Sequence, residues 1–121
     1  MSEVKQEIAV ASVHLNITEI NQEFRAIAAA NNWQAYHTPK NLAAAVAVEA
    51  SELLAEFQWL TPDDSCVLNT EQISNVADEV ADVIMYLTEL CRRLNIDMAD
   101  AVRIKIEKNK QRTQNKSRLE I

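Results

Sequence analysis

Residues 38–60 read TPKNLAAAVAVEASELLAEFQWL, and the reading of this stretch decides the fold. Thr38 is placed to cap a helix, and Pro39 to fill its first position, where a missing N–H does no harm. Behind them run Ala, Leu and Glu, all strong helix formers. At about 100° per residue, Leu42, Val46, Leu53, Phe57 and Leu60 fall on one stripe. The stretch predicts an amphipathic helix continuing to about Leu60. Glu49, Glu52 and Glu56 flank the apolar stripe instead of opposing it, and Trp59 follows on the same flank.

Working outward, the same period recurs. Ile20, Phe24 and Ile27 predict a helix from about Thr18 to Asn31. Thr61-Pro62-Asp63-Asp64 is a stop and turn. Asn69 with Gln72 resembles a capping box. It opens a third helix to about Leu94, with a stripe at Val76, Val80, Val83, Leu87, Leu90 and Leu94. Asn95 is placed to end that helix in the left-handed conformation. Asp97 and Asp100 open a fourth helix, expected to end near Asn109. Short connections between long helices predict an all-α, antiparallel four-helix bundle. Residues 17–112 form its domain. Residues 1–16 lack a helical period and read as a segment that is mobile or packs on a neighbouring subunit. Residues 113–121 read as a polar tail.

Composition agrees. The 121 residues are 48% apolar and include no Gly. Phosphate-cradling loops and primed hairpin turns, which rely on Gly, are thereby disfavoured. The net charge of −6 and the lack of a basic run argue against nucleic acid as a partner. No 18-residue apolar run and no signal peptide are seen, so neither membrane insertion nor export is expected. Cys66 and Cys91 lack metal-site or redox spacing and read as reduced thiols of a cytoplasmic protein.

The third helix carries its own acids, Glu79 and Asp82, beside its stripe, with Tyr86 between them on the helical wheel. Acids at i, i+3 are neighbours on a helix. Two such pairs facing one another would gather four carboxylates, a costly arrangement unless cations or protons neutralise them. Oxygen ligands without Cys or His suit Mg²⁺, with Mn²⁺ as an alternative. The pattern alone leaves both this reading and that of ordinary boundary acids open. Lys105, Asn109 and Arg112 share one face of the fourth helix, either as a solvated face or as a phosphate contact. His37, Lys40 and Asn41 cluster at the start of the second helix, where backbone N–H groups attract anions. Trp33 and Trp59 are core residues or platforms for a base ring.

Taken together these residues resemble a known pattern. Glu49-x-x-Glu52 and, after 26 further residues, Glu79-x-x-Asp82 resemble the signature of the all-α nucleoside triphosphate pyrophosphohydrolases, the MazG-like superfamily. WQAYHTPKNL (33–42), EASELLAEFQW (49–59), DEVADVIMYL (78–87) and KIEKNKQR (105–112) look like its dCTP pyrophosphatase branch. The resemblance implies a helical bundle that assembles as a dimer or dimer of dimers. It implies Mg²⁺-dependent hydrolysis of a (deoxy)nucleoside triphosphate, dCTP-like or a modified pyrimidine, to monophosphate and pyrophosphate, as house-cleaning of the nucleotide pool. Glu49, Glu52, Glu79 and Asp82 would hold the metal. Lys105 and Asn109 would contact phosphates, and Lys40 and Asn41 match the basic residue and Asn that open the second helix in relatives. Trp33, His37, Trp59 and Tyr86 would surround the nucleoside, with Phe24 a further candidate. Glu52, then Glu56, is the first choice of general base, and Lys105 would stabilise the leaving group. After Arg112 the chain departs from the Arg-Tyr-Pro of many relatives.

Two alternatives stand beside this. One is a non-catalytic helical interaction or regulatory dimer, which needs no clustered acids. The other is a phosphoribosyl-ATP pyrophosphohydrolase of the same superfamily. A di-iron carboxylate bundle is disfavoured, because neither His14 nor His37 has a Glu three residues before it.

Overall fold

The computed structural model describes residues 14–119. Among them are five α-helices and one 3₁₀ turn, and no strand. They are α1 (Ile17–Ala30), the 3₁₀ turn Gln34–Tyr36, α2 (Pro39–Ala55), the single-turn α3 (Pro62–Ser65), α4 (Thr70–Arg93) and α5 (Met98–Leu119). The all-α expectation holds.

Helix starts follow local chemistry. The side chains of Asn16, Thr38, Thr61 and Asn69 each accept a hydrogen bond from the backbone N–H three residues on, filling orphan donors of the first turn. Asn69 and Gln72 form the full reciprocal capping box. Asp97 Oδ1 accepts from the Asp100 N–H at 3.0 Å at the start of α5. In a chain without Gly, the left-handed positions fall to Asn32 (φ 57°) and Asn95 (φ 55°), the residue type that tolerates them best.

Several boundaries differ from expectation. The turn at 61–64 closes into α3. α2 stops at Ala55, not Leu60. Beyond it the bonds tighten to three-residue spacing, from Phe57 N to Leu54 O and from Leu60 N to Phe57 O, both at 2.9 Å. Trp59 therefore leaves the helical flank and stands 88% exposed. α5 continues past Asn109 to Leu119, so most of the expected tail is helical. Of the expected N-terminal segment, residues 1–13 lie outside the described residues; Asn16 belongs to the cap of α1.

α4 is the centre of the fold, with α2 packed along it and α1 against it. α2 runs antiparallel to α4: His37, just before α2, neighbours Tyr86, and Glu49, further along, neighbours Asp82 and Glu79. The apolar core is small, with Phe24, Ala28 and Leu42 its fully buried members among the described residues. The stripe of α1 is rotated from the expected one, burying Asn21, Phe24 and Ala28 and leaving Ile27 exposed. Val80 on α4 and Leu94 at its C-cap are also exposed.

The fourth long helix does not join its own chain's bundle. α5 packs extensively on no other helix, and its residues 99–116 are all exposed. Val102 and Ile106 share one side of α5 while Ile104 lies about 200° away, so no continuous apolar seam exists to hold it.

Leu42 has no exposed surface. Leu42→Ala is expected to cost about 2–5 kcal/mol by lost burial and the cavity left behind. Urea unfolding followed by circular dichroism checks this.

Candidate metal and nucleotide site

Packing α2 on α4 turns two i, i+3 acid pairs toward one another. Oxygens of Glu49, Glu79 and Asp82 all lie within 4.8 Å of one another, each residue half-buried. Oε2 of Glu49 and Oε2 of Glu79 are buried without a hydrogen-bond partner. Glu52 is more exposed, yet it lies close enough to add its charge to both Glu49 and Glu79. Glu56, at the C-cap of α2, adds its charge to Glu79.

The electrostatic consequence is large. Burial first, then Glu52, Asp82 and Glu79, push the Glu49 carboxyl up to about 7. Burial first, then Glu52, Asp82 and Glu56, raise Glu79 as well. Burial, then the charges of Glu49, Asp82 and Glu52, raise the Tyr86 hydroxyl, which places Tyr86 at the rim of the cluster. Orphaned buried oxygens, a compact all-oxygen donor set and mutual repulsion fit a hard divalent cation.

Next to the acids lies an aromatic group. Phe24 stacks on His37 at 5.7 Å and 13°, and Tyr86 meets Phe24 edge-on at 5.1 Å. His37 also lies 6.1 Å from Tyr86 and 6.3 Å from Trp33, which is partly exposed. These rings come from α1, the connection to α2, and α4. Trp59 belongs to none of these ring pairs.

Other expected residues fall elsewhere. Asn41 Nδ2 donates to the Tyr36 carbonyl at 2.8 Å, so its amide fastens the 3₁₀ turn. Lys40 is exposed beside it. Lys105, Asn109 and Arg112 are exposed on α5, and Arg112 donates to Asn109 Oδ1 at 3.2 Å. Because α5 packs extensively on neither α2 nor α4, one chain does not bring these side chains to the carboxylates. An open cleft of about 850 Å³ lies at another place, between the start of α1 and the end of α4, lined by residues such as Leu15, Asn21, Arg25, Cys91 and Met98; it includes none of the clustered acids.

The sequence reading missed one feature. Glu89 is 3% exposed, and its carboxylate accepts from Asn21 Nδ2 (3.1 Å), Arg92 Nε (2.7 Å), Arg92 Nη2 (2.9 Å) and Arg93 Nε (3.2 Å). Although burial alone would raise it, bonds from Arg92, Asn21 and Arg93 hold Glu89 down at about 2. Glu89 with Arg92 and Arg93 at i+3 and i+4 reads in sequence as an ordinary helical surface pair. The one available signal was Asn21, polar on the side of α1 that also carries Phe24.

Residues 44–121, well over half of the chain, match the model of the MazG-like family. The chain is 31% identical over 100 residues to dCTP pyrophosphatase 1 of Bos taurus, covering 80% of this chain and 57% of that protein. It is 32% identical over 99 residues to dCTP pyrophosphatase 1 of Mus musculus, covering 80% and 56%. The chain thus spans about half the length of the curated relatives it matches. Among solved structures, a pyrophosphatase from Archaeoglobus fulgidus DSM 4304 superposes with a TM-score of 0.73 at 36% identity, covering 83% of this chain and 94% of that one. With its two E-x-x-E/D pairs gathered between two packed helices, the chain belongs to the MazG-like family.

Proposed function

We propose that the protein is a Mg²⁺-dependent nucleoside triphosphate pyrophosphohydrolase. It converts a (deoxy)nucleoside triphosphate, dCTP-like or a modified pyrimidine, to the monophosphate and pyrophosphate. The observation that carries this is the convergence of Glu49, Glu79 and Asp82 within 4.8 Å, with buried oxygens lacking partners. The similarity to dCTP pyrophosphatases supports the substrate class.

Glu49, Glu52, Glu79 and Asp82 would hold the ion. When bound, Mg²⁺ neutralises triphosphate charge and acidifies a water. Glu52, the most exposed of the four and a neighbour of Glu49 and Glu79, accepts the proton of the attacking water. Trp33 and His37 receive the base, with Tyr86 below them against the acids, and Trp59 is kept as an outer contact. Lys40 and the N-terminus of α2 attract the phosphate chain. Lys105 and Asn109 reach phosphate from α5 of a second copy, where Lys105 steadies the leaving pyrophosphate. The exposed Val102, Ile104 and Ile106 of α5 support such an assembly, because they find no cover in their own chain.

Glu49→Gln and Asp82→Asn are each expected to lower Mg²⁺-dependent pyrophosphate release at least about 100-fold, the scale seen when a catalytic electrostatic group is removed. Their circular dichroism should stay helical. Full activity in either variant would sink the metal assignment. A release screen over ordinary and modified nucleoside triphosphates with Mg²⁺ or Mn²⁺ identifies the substrate.

Proton linkage makes a second test. The folded Glu49 carboxyl, at about 7, lies above its ordinary 4.5, so between these pH values the folded state holds more protons than the unfolded one. Without metal, stability from this group is therefore present below about 4.5 and declines as pH rises through about 7. Glu89 works oppositely: its stabilisation is present above 4.5 and lost as pH falls toward about 2. In EDTA the melting temperature should fall between pH 5 and 8. Mg²⁺ should raise it at pH 8 and have little effect at pH 5, where Glu49 is protonated. Differential scanning calorimetry measures both.

A further inference from the structure

The buried Glu89 cluster lies outside the carboxylate site, yet it reaches the loop that carries the site's aromatic rings. Arg93 divides its guanidinium between two tasks. Nε donates to Glu89 Oε2 at 3.2 Å, and Nη2 donates to the Gln34 carbonyl at 3.3 Å. That carbonyl also accepts the backbone N–H of His37 at 3.2 Å. Gln34 directly follows Trp33. The loop from Asn31 to Thr38 is otherwise held by short-range bonds, Trp33 N to Ala28 O at 2.9 Å and Asn41 Nδ2 to Tyr36 O at 2.8 Å. Among the described residues, Arg93 supplies its one recorded hydrogen bond from α4.

Glu89 is fixed in turn. Asn21 of α1 donates from Nδ2 to Glu89 Oε1 at 3.1 Å and to Thr88 Oγ1 at 3.3 Å, and Thr88 donates to the Met85 carbonyl at 2.7 Å. Asn21 lies three residues before Phe24, and Glu89 three after Tyr86. Each polar residue therefore sits about one turn along its helix from a ring that faces His37. A buried, fully bonded carboxylate is rigid, and a planar guanidinium held at one end points its other end.

We propose that the Glu89–Arg93 pair is a positioning device: through the Gln34 carbonyl it fixes the loop presenting Trp33 and His37 beside the carboxylates, and so tightens binding of the nucleotide base. This rests on the nucleotide reading above. Neither residue touches substrate. Arg92 is the internal control. It binds the same carboxylate, more closely than Arg93 does, but its recorded bonds stay within α4. The two side chains are similarly exposed, 38% for Arg92 and 32% for Arg93. A purely structural role predicts equal effects of their loss, or a larger one for Arg92.

The test compares Arg93→Ala, Arg93→Lys and Arg92→Ala in the full chain. Lysine keeps the charge but lacks the fork that reaches Glu89 and Gln34 together. Both Arg93 variants should raise KM roughly fivefold to tenfold, the scale of one hydrogen bond, with kcat within about twofold. Arg92→Ala should leave KM unchanged even where it lowers the melting temperature. In a Trp59→Phe background Trp33 is the lone tryptophan, and its quenching by acrylamide should increase with Arg93→Ala but not with Arg92→Ala. Unchanged Trp33 quenching in Arg93→Ala, or matching effects of the Arg92 and Arg93 variants, would overturn the brace. Absence of hydrolysis in the wild type would defeat the nucleotide reading instead, and the quenching comparison would still decide the brace.

Discussion

The contact of α2 with α4 is the constraint from which the rest follows. Each helix carries two acids beside its apolar seam, so closing the seam drives like charges together in partly dry surroundings. Burial and repulsion act in the same direction on Glu49 and Glu79, and no basic side chain is recorded to oppose them. Such a cluster is neutralised by protons or by a cation. Tyr86, at the rim, carries the same field toward the rings of Phe24 and His37. One packing event thus builds an acidic cluster with an aromatic group beside it.

The same helix shows two treatments of a buried carboxylate. Glu89 is ringed by Asn21, Arg92 and Arg93, and its charge is held far below the ordinary range. Three turns earlier, Glu79 keeps a buried oxygen with no partner. Compensated charge makes a rigid structural point; uncompensated charge leaves a site that something else must complete. Fold and candidate chemistry are separated along α4 by this difference.

Within one chain the apolar core is slight. Phe24, Ala28 and Leu42 are fully buried, while Ile27, Val80, Val102 and Ile106 stay open to solvent. A domain of this size needs more buried apolar surface to offset chain entropy comfortably. The proposed assembly meets that need and the chemical one together, because α5 carries both uncovered apolar residues and Lys105 and Asn109 on a helix its own chain does not hold.

Local rules were legible in the sequence because they act over three or four residues. The caps at Thr38 and Asn69, the left-handed turn at Asn95, the absence of strands among the described residues and the stripe through Leu42 all follow from that short range. The acid pairs were legible as pairs, since i, i+3 spacing places them on one flank. Their meeting was an expectation that needed the packing of α2 on α4 to become a distance. Tertiary structure alone decided the rest. It ended α2 before Trp59, turned α1 so that Asn21 faces inward, and kept α5 out of the bundle. It also joined Asn21 to Glu89 across 68 positions and Arg93 to Gln34 across 59. A sequence records which groups can bond; which of them meet across such separations is set by the one arrangement of helices that buries the seam.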